Sequence, residues 1–191
     1  MTNIEIADYL RANIDWARFA RLTKALAEQL NNGQLRFLKA RLFEKAVEKY
    51  SNGTLRYVDE NGCDFLIIGL NNIRLEMKYT SEGIYTPVKG ELKKTCNIKL
   101  TNSHGTNKHL TLPSYYADYL MFISESGAIL FDKNTLQSHI DPEGDGIVGK
   151  IPPHKGTMIV GNTVMTGDNQ LEVDFIQQLD RLLEQYASNI L

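Results

Sequence analysis

The stretch CDFLIIGLNNIRLEMKYT, residues 63–80, holds two apolar runs divided by a turn at 69–72. Asp64 opens the first run, and Glu76 and Lys78 close the second. Side chains alternate along a strand, so Glu76 and Lys78 share one face and Met77 takes the other. A hairpin folded about residue 70 sets Asp64 opposite Glu76, because both stand equally far from the turn. Two carboxylates and an ammonium then meet at one edge of a sheet. Neighbouring carboxylates repel and raise each other's pKa unless a cation stands between them. Carboxylate, carbonyl and water oxygens are the donors that a hard divalent cation such as Mg²⁺ takes. A lysine beside them can orient or deprotonate a water, or meet a phosphate. The other reading of these residues is a solvated strand end, with Glu76 paired to Lys78 or Arg74. Such surface pairs are worth under about 1 kcal/mol.

The elements that must position these groups are legible in the apolar periodicity. Residues 4–30 repeat apolar positions at helical intervals (Ile6, Tyr9, Leu10, Ile14, Ala17, Leu22, Leu26, Leu30), and Gly33 is a C-terminal stop. A second helix is predicted over 34–50, ended by Ser51, Asn52 and Gly53. Three strands follow at 54–58, 63–68 and 72–79, separated by turn residues as in a meander. Residues 80–110 are polar, basic and aperiodic, and read as irregular. Strands are predicted at 117–124, 128–132 and 156–161, and a closing amphipathic helix at 171–187. This order implies an α/β or α+β fold with a mixed sheet flanked by helices.

At 191 residues the chain is long enough for a single domain with a substantial core, 1–191, whose N-terminal helical region (about 1–33) is a candidate dimerisation element. Hydrophobic residues make up 42% and charged residues 23%, which excludes a disordered chain. Cys63 and Cys96 make no disulfide framework, and neither they nor the four histidines have zinc-site spacing. The opening MTNIEIADYLRANIDW lacks the basic-then-apolar order of a signal peptide. No apolar run approaches membrane-spanning length. A soluble, cytoplasmic protein with no membrane partner is expected.

Asp64, eleven intervening residues and then Glu76-Met77-Lys78, on two adjoining apolar runs after a helix, resembles the motif of the PD-(D/E)xK nuclease superfamily. The order of elements and the basic segment GELKKTCNIKLTNSHG (90–105) look most like a type II restriction endonuclease. The chain departs from the pattern at Cys63, where the family often has proline. The resemblance implies a restriction-endonuclease-like fold and a Mg²⁺ cofactor. Asp64, Glu76 and the Met77 carbonyl would be the metal ligands, with Lys78 positioning or activating the attacking water. It also implies a further glutamate from the preceding helix, matched here by Glu44. That residue falls at the edge of the helix's apolar stripe, and an exposed helical glutamate paired to a neighbour reads the position equally well.

Between 88 and 109 the chain carries Lys89, Lys93, Lys94, Lys99 and Lys108 against the single acid Glu91, on a chain of net charge −2. Positive charge so concentrated marks a polyanion face. Lysines answer phosphates, asparagine and serine side chains (here Asn97, Asn102, Ser103 and Asn107) are of the types that bond base edges, and His104 adds conditional charge, so the segment is a DNA-binding candidate with no base contact assigned to any one residue. The expected partner is double-stranded DNA. Cutting a palindrome needs two centres related by a two-fold axis, hence a homodimer. Two other functions fit the same residues: a non-catalytic DNA-binding protein, and a repair or recombination nuclease of the same fold.

Overall fold

The structure, a computed structural model, describes residues 1–19, 41, 44–45, 47–60, 63–80, 85–98, 117–124, 127–139 and 150–161. The predicted second helix is present in part, with residues 47–50 helical along with 41, 44 and 45. Ser51 closes it: its hydroxyl donates to the Glu48 carbonyl (2.7 Å) and accepts from the Leu55 N–H (3.0 Å). Asn52 and Gly53 then turn the chain through positive φ into the sheet.

The meander forms as expected: β1 (Leu55–Glu60), β2 (Cys63–Ile67) and β3 (Ile73–Thr80) pair antiparallel in sequence order. The β2–β3 connection is a 3₁₀ turn, Ile68–Leu70, followed by Asn71 and Asn72 in the left-handed region, which asparagine tolerates better than most residues. Gly69 leaves room for the Tyr9 ring, whose hydroxyl end would have to shift to admit a Cβ there. Further along the chain, β7 (Tyr119–Ser124) lies parallel to β3, and β8 (Gly127–Asp132) and β10 (Thr157–Gly161) continue antiparallel. Among the described residues the main sheet thus has six strands in the order β1-β2-β3-β7-β8-β10. The sheet is mixed, and the fold class is α+β.

Two cores lie on its two faces. On one, Phe65, Ile67, Leu75, Met77, Met121, Ile123, Ala128 and Leu130 pack against α1 (Asn3–Asn13), Trp16, Phe19 and Val47. On the other, Leu120, Phe122, Ile129 and Phe131 pack with Cys96, Ile98, Leu136 and Ile151. Helix α1 opens on a capping box: Thr2 accepts from the Glu5 N–H, and Glu5 accepts from the Thr2 N–H (2.7 Å). It lies against β8 and β10, and Arg11 bonds the carbonyls of Met158 and Ile159. No helix among the described residues is long and apolar enough to cross a membrane.

Two expectations are corrected. The helix predicted over 4–30 breaks after Asn13, while its residues 20–30 and the stop at Gly33 lie outside the described residues. Ile14 is extended, and Asp15 starts a new turn by accepting from the Arg18 N–H (3.1 Å). The apolar periodicity runs through this break because Ile14, Trp16 and Phe19 enter the same core, with Trp16 and Phe19 in edge-to-face contact. The stretch read as irregular holds a β-hairpin. β4 (Tyr85–Val88) pairs with β5 (Glu91–Lys94) across a two-residue turn, Lys89-Gly90, both at positive φ. That is the geometry a tight hairpin needs, and Gly90 adopts it without a steric cost. Polar side chains masked the strand alternation. β6 (Cys96–Asn97) pairs with β9 (Lys150–Ile151). The helix predicted at 171–187 lies outside the described residues.

Candidate active site

The β2–β3 register pairs Phe65 with Leu75, Leu66 with Arg74 and Ile67 with Ile73. Extended by one residue, it sets Asp64 opposite Glu76, as the turn-centred reading required. Cys63, Phe65 and Ile67 are buried, while Asp64 and Leu66 point to the other face, which Arg74, Glu76 and Lys78 share from β3. Asp64 Oδ2 accepts from the Met77 N–H at 2.7 Å. Lys78 Nζ donates to Glu76 Oε1, so the ion pair of the simpler reading is present. It is not a surface pair: Glu76 is only 8% exposed and Lys78 is half-buried.

The electrostatics are those of crowded carboxylates. Burial pushes the Asp64 pKa up to about 8, and the charges of Glu76 and Glu44 add to the rise. Lys78 and the Met77 N–H oppose it without cancelling it. Burial alone would lower the Lys78 pKa, but Glu76 and Asp64 outweigh that and raise it, with Glu44 contributing. Glu44 thus lies close enough for its charge to act on both. Cys63, at the position where the resembling family often has proline, stays a thiol: burial pushes its pKa up to about 11.

Met77 enters the site through its backbone, since its side chain is in the core. A strand residue's N–H and C=O leave on the same side. The Met77 carbonyl therefore faces the β2 edge where Asp64 sits. Among the described residues, no three His, Cys, Asp or Glu side chains are arranged to hold a metal by themselves. Mg²⁺ is usually bound by one or two carboxylates plus substrate phosphates and water. Two crowded carboxylates with a carbonyl on the same edge fit that donor set.

Of the candidate DNA-binding residues, Lys89, Lys93 and Lys94 are exposed on the β4–β5 hairpin, with Lys93 3.9 Å from Glu91. Asn97 lies in β6. Lys99, Asn102, Ser103, His104, Asn107 and Lys108 lie outside the described residues. Two arginines that sequence reasoning did not assign to the site stand on the carboxylate face. Arg56 pairs with Leu66, which pairs with Arg74. The strand alternation could have found them, had the β1–β2 register been carried one strand further. Arg74 does not pair with Glu76; its backbone instead exchanges hydrogen bonds with Asp118 (both 2.9 Å), tying the start of the parallel β3–β7 ladder. Compared with known protein families, curated proteins and solved structures, the chain matches none.

Proposed function

We propose that the protein is a cytoplasmic Mg²⁺-dependent endonuclease of the PD-(D/E)xK kind, cutting duplex DNA as a homodimeric type II restriction enzyme. The observation that carries this reading is the juxtaposition of Asp64, Glu76 and Lys78 on one face of adjacent strands, held at a cost in buried charge. Burying ionised groups is expensive, and replacing such pairs by apolar residues is often neutral or stabilising. Stability therefore does not account for their presence. That fold is expected to run from a helix into a three-strand meander, then a helix and a further strand; the first helix, the meander and the further strand have counterparts among the described residues, and residues 99–116 before that strand lie outside them.

In this reading Asp64, Glu76 and the Met77 carbonyl hold the cation. When bound, Mg²⁺ supplies Lewis-acid polarisation of the phosphate and lowers the pKa of a bound water. Asp64 is oriented by the Met77 N–H. Lys78, placed by Glu76, orients the attacking water and offsets the charge that gathers on the phosphate in the transition state. Glu44 adds negative charge that favours cation entry. The β4–β5 hairpin offers Lys89, Lys93 and Lys94 to the backbone, and a two-stranded ribbon is of a size the major groove admits.

The Glu76–Lys78 ion pair is the observation that favours the second reading, a non-catalytic DNA-binding protein with an internal charge network. Incubating plasmid DNA with Mg²⁺, against an EDTA control, separates them. Discrete fragments that need Mg²⁺ are expected. Smeared or nicked products would replace restriction by a repair or recombination nuclease, and intact plasmid would favour the binding protein.

A further inference from the structure

We infer that Arg56 and Arg74 form a phosphate-gripping pair on the carboxylate face, which holds the DNA backbone beside the phosphate being cut. The inference rests on the nuclease reading and extends it to the partner's position on the sheet.

The register supplies the geometry. Arg56, Leu66 and Arg74 form one row across β1, β2 and β3. Leu55, Tyr57, Ile73 and Leu75 point the opposite way into the α1-side core, so both arginines stand on the face of Asp64, Glu76 and Lys78. Two strand spacings separate the arginines by about 10 Å, and two residues along the strand set their row about 7 Å from the Asp64–Glu76 row. The second step is comparable with the separation of consecutive phosphates on one DNA strand. Leu66, partly exposed between the arginines, is an apolar floor on which a sugar can rest.

The charges supply the reason. Asp64, Glu76 and Glu44 present acid to an incoming polyanion, and Lys78 is already engaged by Glu76. Both arginines are exposed, and among the described residues neither guanidinium has a carboxylate partner. The carboxylate next to Arg74, that of Asp118, takes the backbone N–H instead. Arginine grips phosphate in a bidentate fork, and a cation that need not first leave a partner does so at least cost.

The test is binding of a labelled linear DNA duplex in Ca²⁺, followed as a function of salt, for wild type, Arg56→Gln, Arg74→Gln and the double variant. Plasmid cleavage in Mg²⁺ is measured alongside. Removing one arginine–phosphate pairing should lower the slope of log affinity against log salt by roughly 0.9, so the double variant should lower it by roughly 1.8. The double Arg→Lys variant keeps the charge and should hold the slope near the wild-type value while raising KM more than it lowers kcat. Melting should be unchanged, since both side chains are exposed. If the double Gln variant binds with the wild-type slope and affinity while wild type cuts DNA, the pair is overturned and the nuclease reading stands. If wild type neither binds duplex nor cuts plasmid, both fall.

Discussion

On the face of the sheet that carries Asp64, the β7–β8 hairpin presents Leu120, Phe122, Ile129 and Phe131, none more than 3% exposed. The β2–β3 hairpin presents Asp64, Leu66, Arg74, Glu76 and Lys78 on the same face. The two hairpins share a sheet, joined by the parallel β3–β7 ladder, in which Glu76 stands beside Leu120 and Lys78 beside Phe122. One strand spacing therefore separates a sealed apolar core from a cluster of charge. The apolar hairpin is explained by its own burial, which removes hydrocarbon from water at roughly 25 cal/mol per Å². The charged one is not: Asp64 is pushed to about 8 and Glu76 is nearly buried, so this half of the face is held against its own electrostatics. Such an arrangement is characteristic of functional sites.

The largest effect should come from the apolar side. Leu120→Ala empties a fully buried position and should cost about 2–5 kcal/mol, lowering Tm by roughly 4–20 °C. A cost under about 1 kcal/mol would mean that face is open, and the contrast would vanish.

Lys78→Ala should affect chemistry more than folding. Single-turnover plasmid cleavage should fall roughly 10²- to 10³-fold, as for removal of a comparable positioned donor. Stability should also drop, by about 1–3 kcal/mol, because Glu76 is left buried without its partner. The sequence alone suggested a smaller drop, since it could not show that Glu76 is covered. Cleavage at the wild-type rate by the folded variant would remove Lys78 from the mechanism.

The next test uses pH. A raised carboxyl pKa means the folded state holds the proton more tightly than the unfolded chain. That stability is complete below about 4 and is lost as pH rises through about 8. Asp64→Asn removes the titration, so its Tm should exceed that of wild type by a margin that grows from pH 5 to 8 and then levels. Mg²⁺ should raise the wild-type Tm at pH 8 and leave the variant's nearly unchanged. A Tm difference independent of pH would show that Asp64 is not in the crowded site described.

The smallest effect is expected at Leu66. It has the same side chain as Leu120 and lies on the same face, but it is partly exposed, so Leu66→Ala should cost only about 1 kcal/mol. A cost equal to that of Leu120→Ala would show that the charged half is sealed too.

Alternation and turn chemistry in the sequence determined the meander, the strands at 117–124, 128–132 and 156–161, and the pairing of Asp64 with Glu76. These are local properties: a period of two and a turn at 69–72 leave one register that keeps Phe65, Ile67, Leu75 and Met77 together in the core. Tertiary structure decided the rest. It broke the first helix at Ile14, where apolar residues continue to serve one core through a change of backbone. It placed β7 parallel to β3, a long-range pairing that no local pattern encodes. It buried Glu76, brought Glu44 within electrostatic reach and lined Arg56 up with Arg74, because burial and charge proximity depend on which strands become neighbours. The cluster's residue types were thus written in the chain, while its pKa values and its cost arise only when the sheet assembles around it.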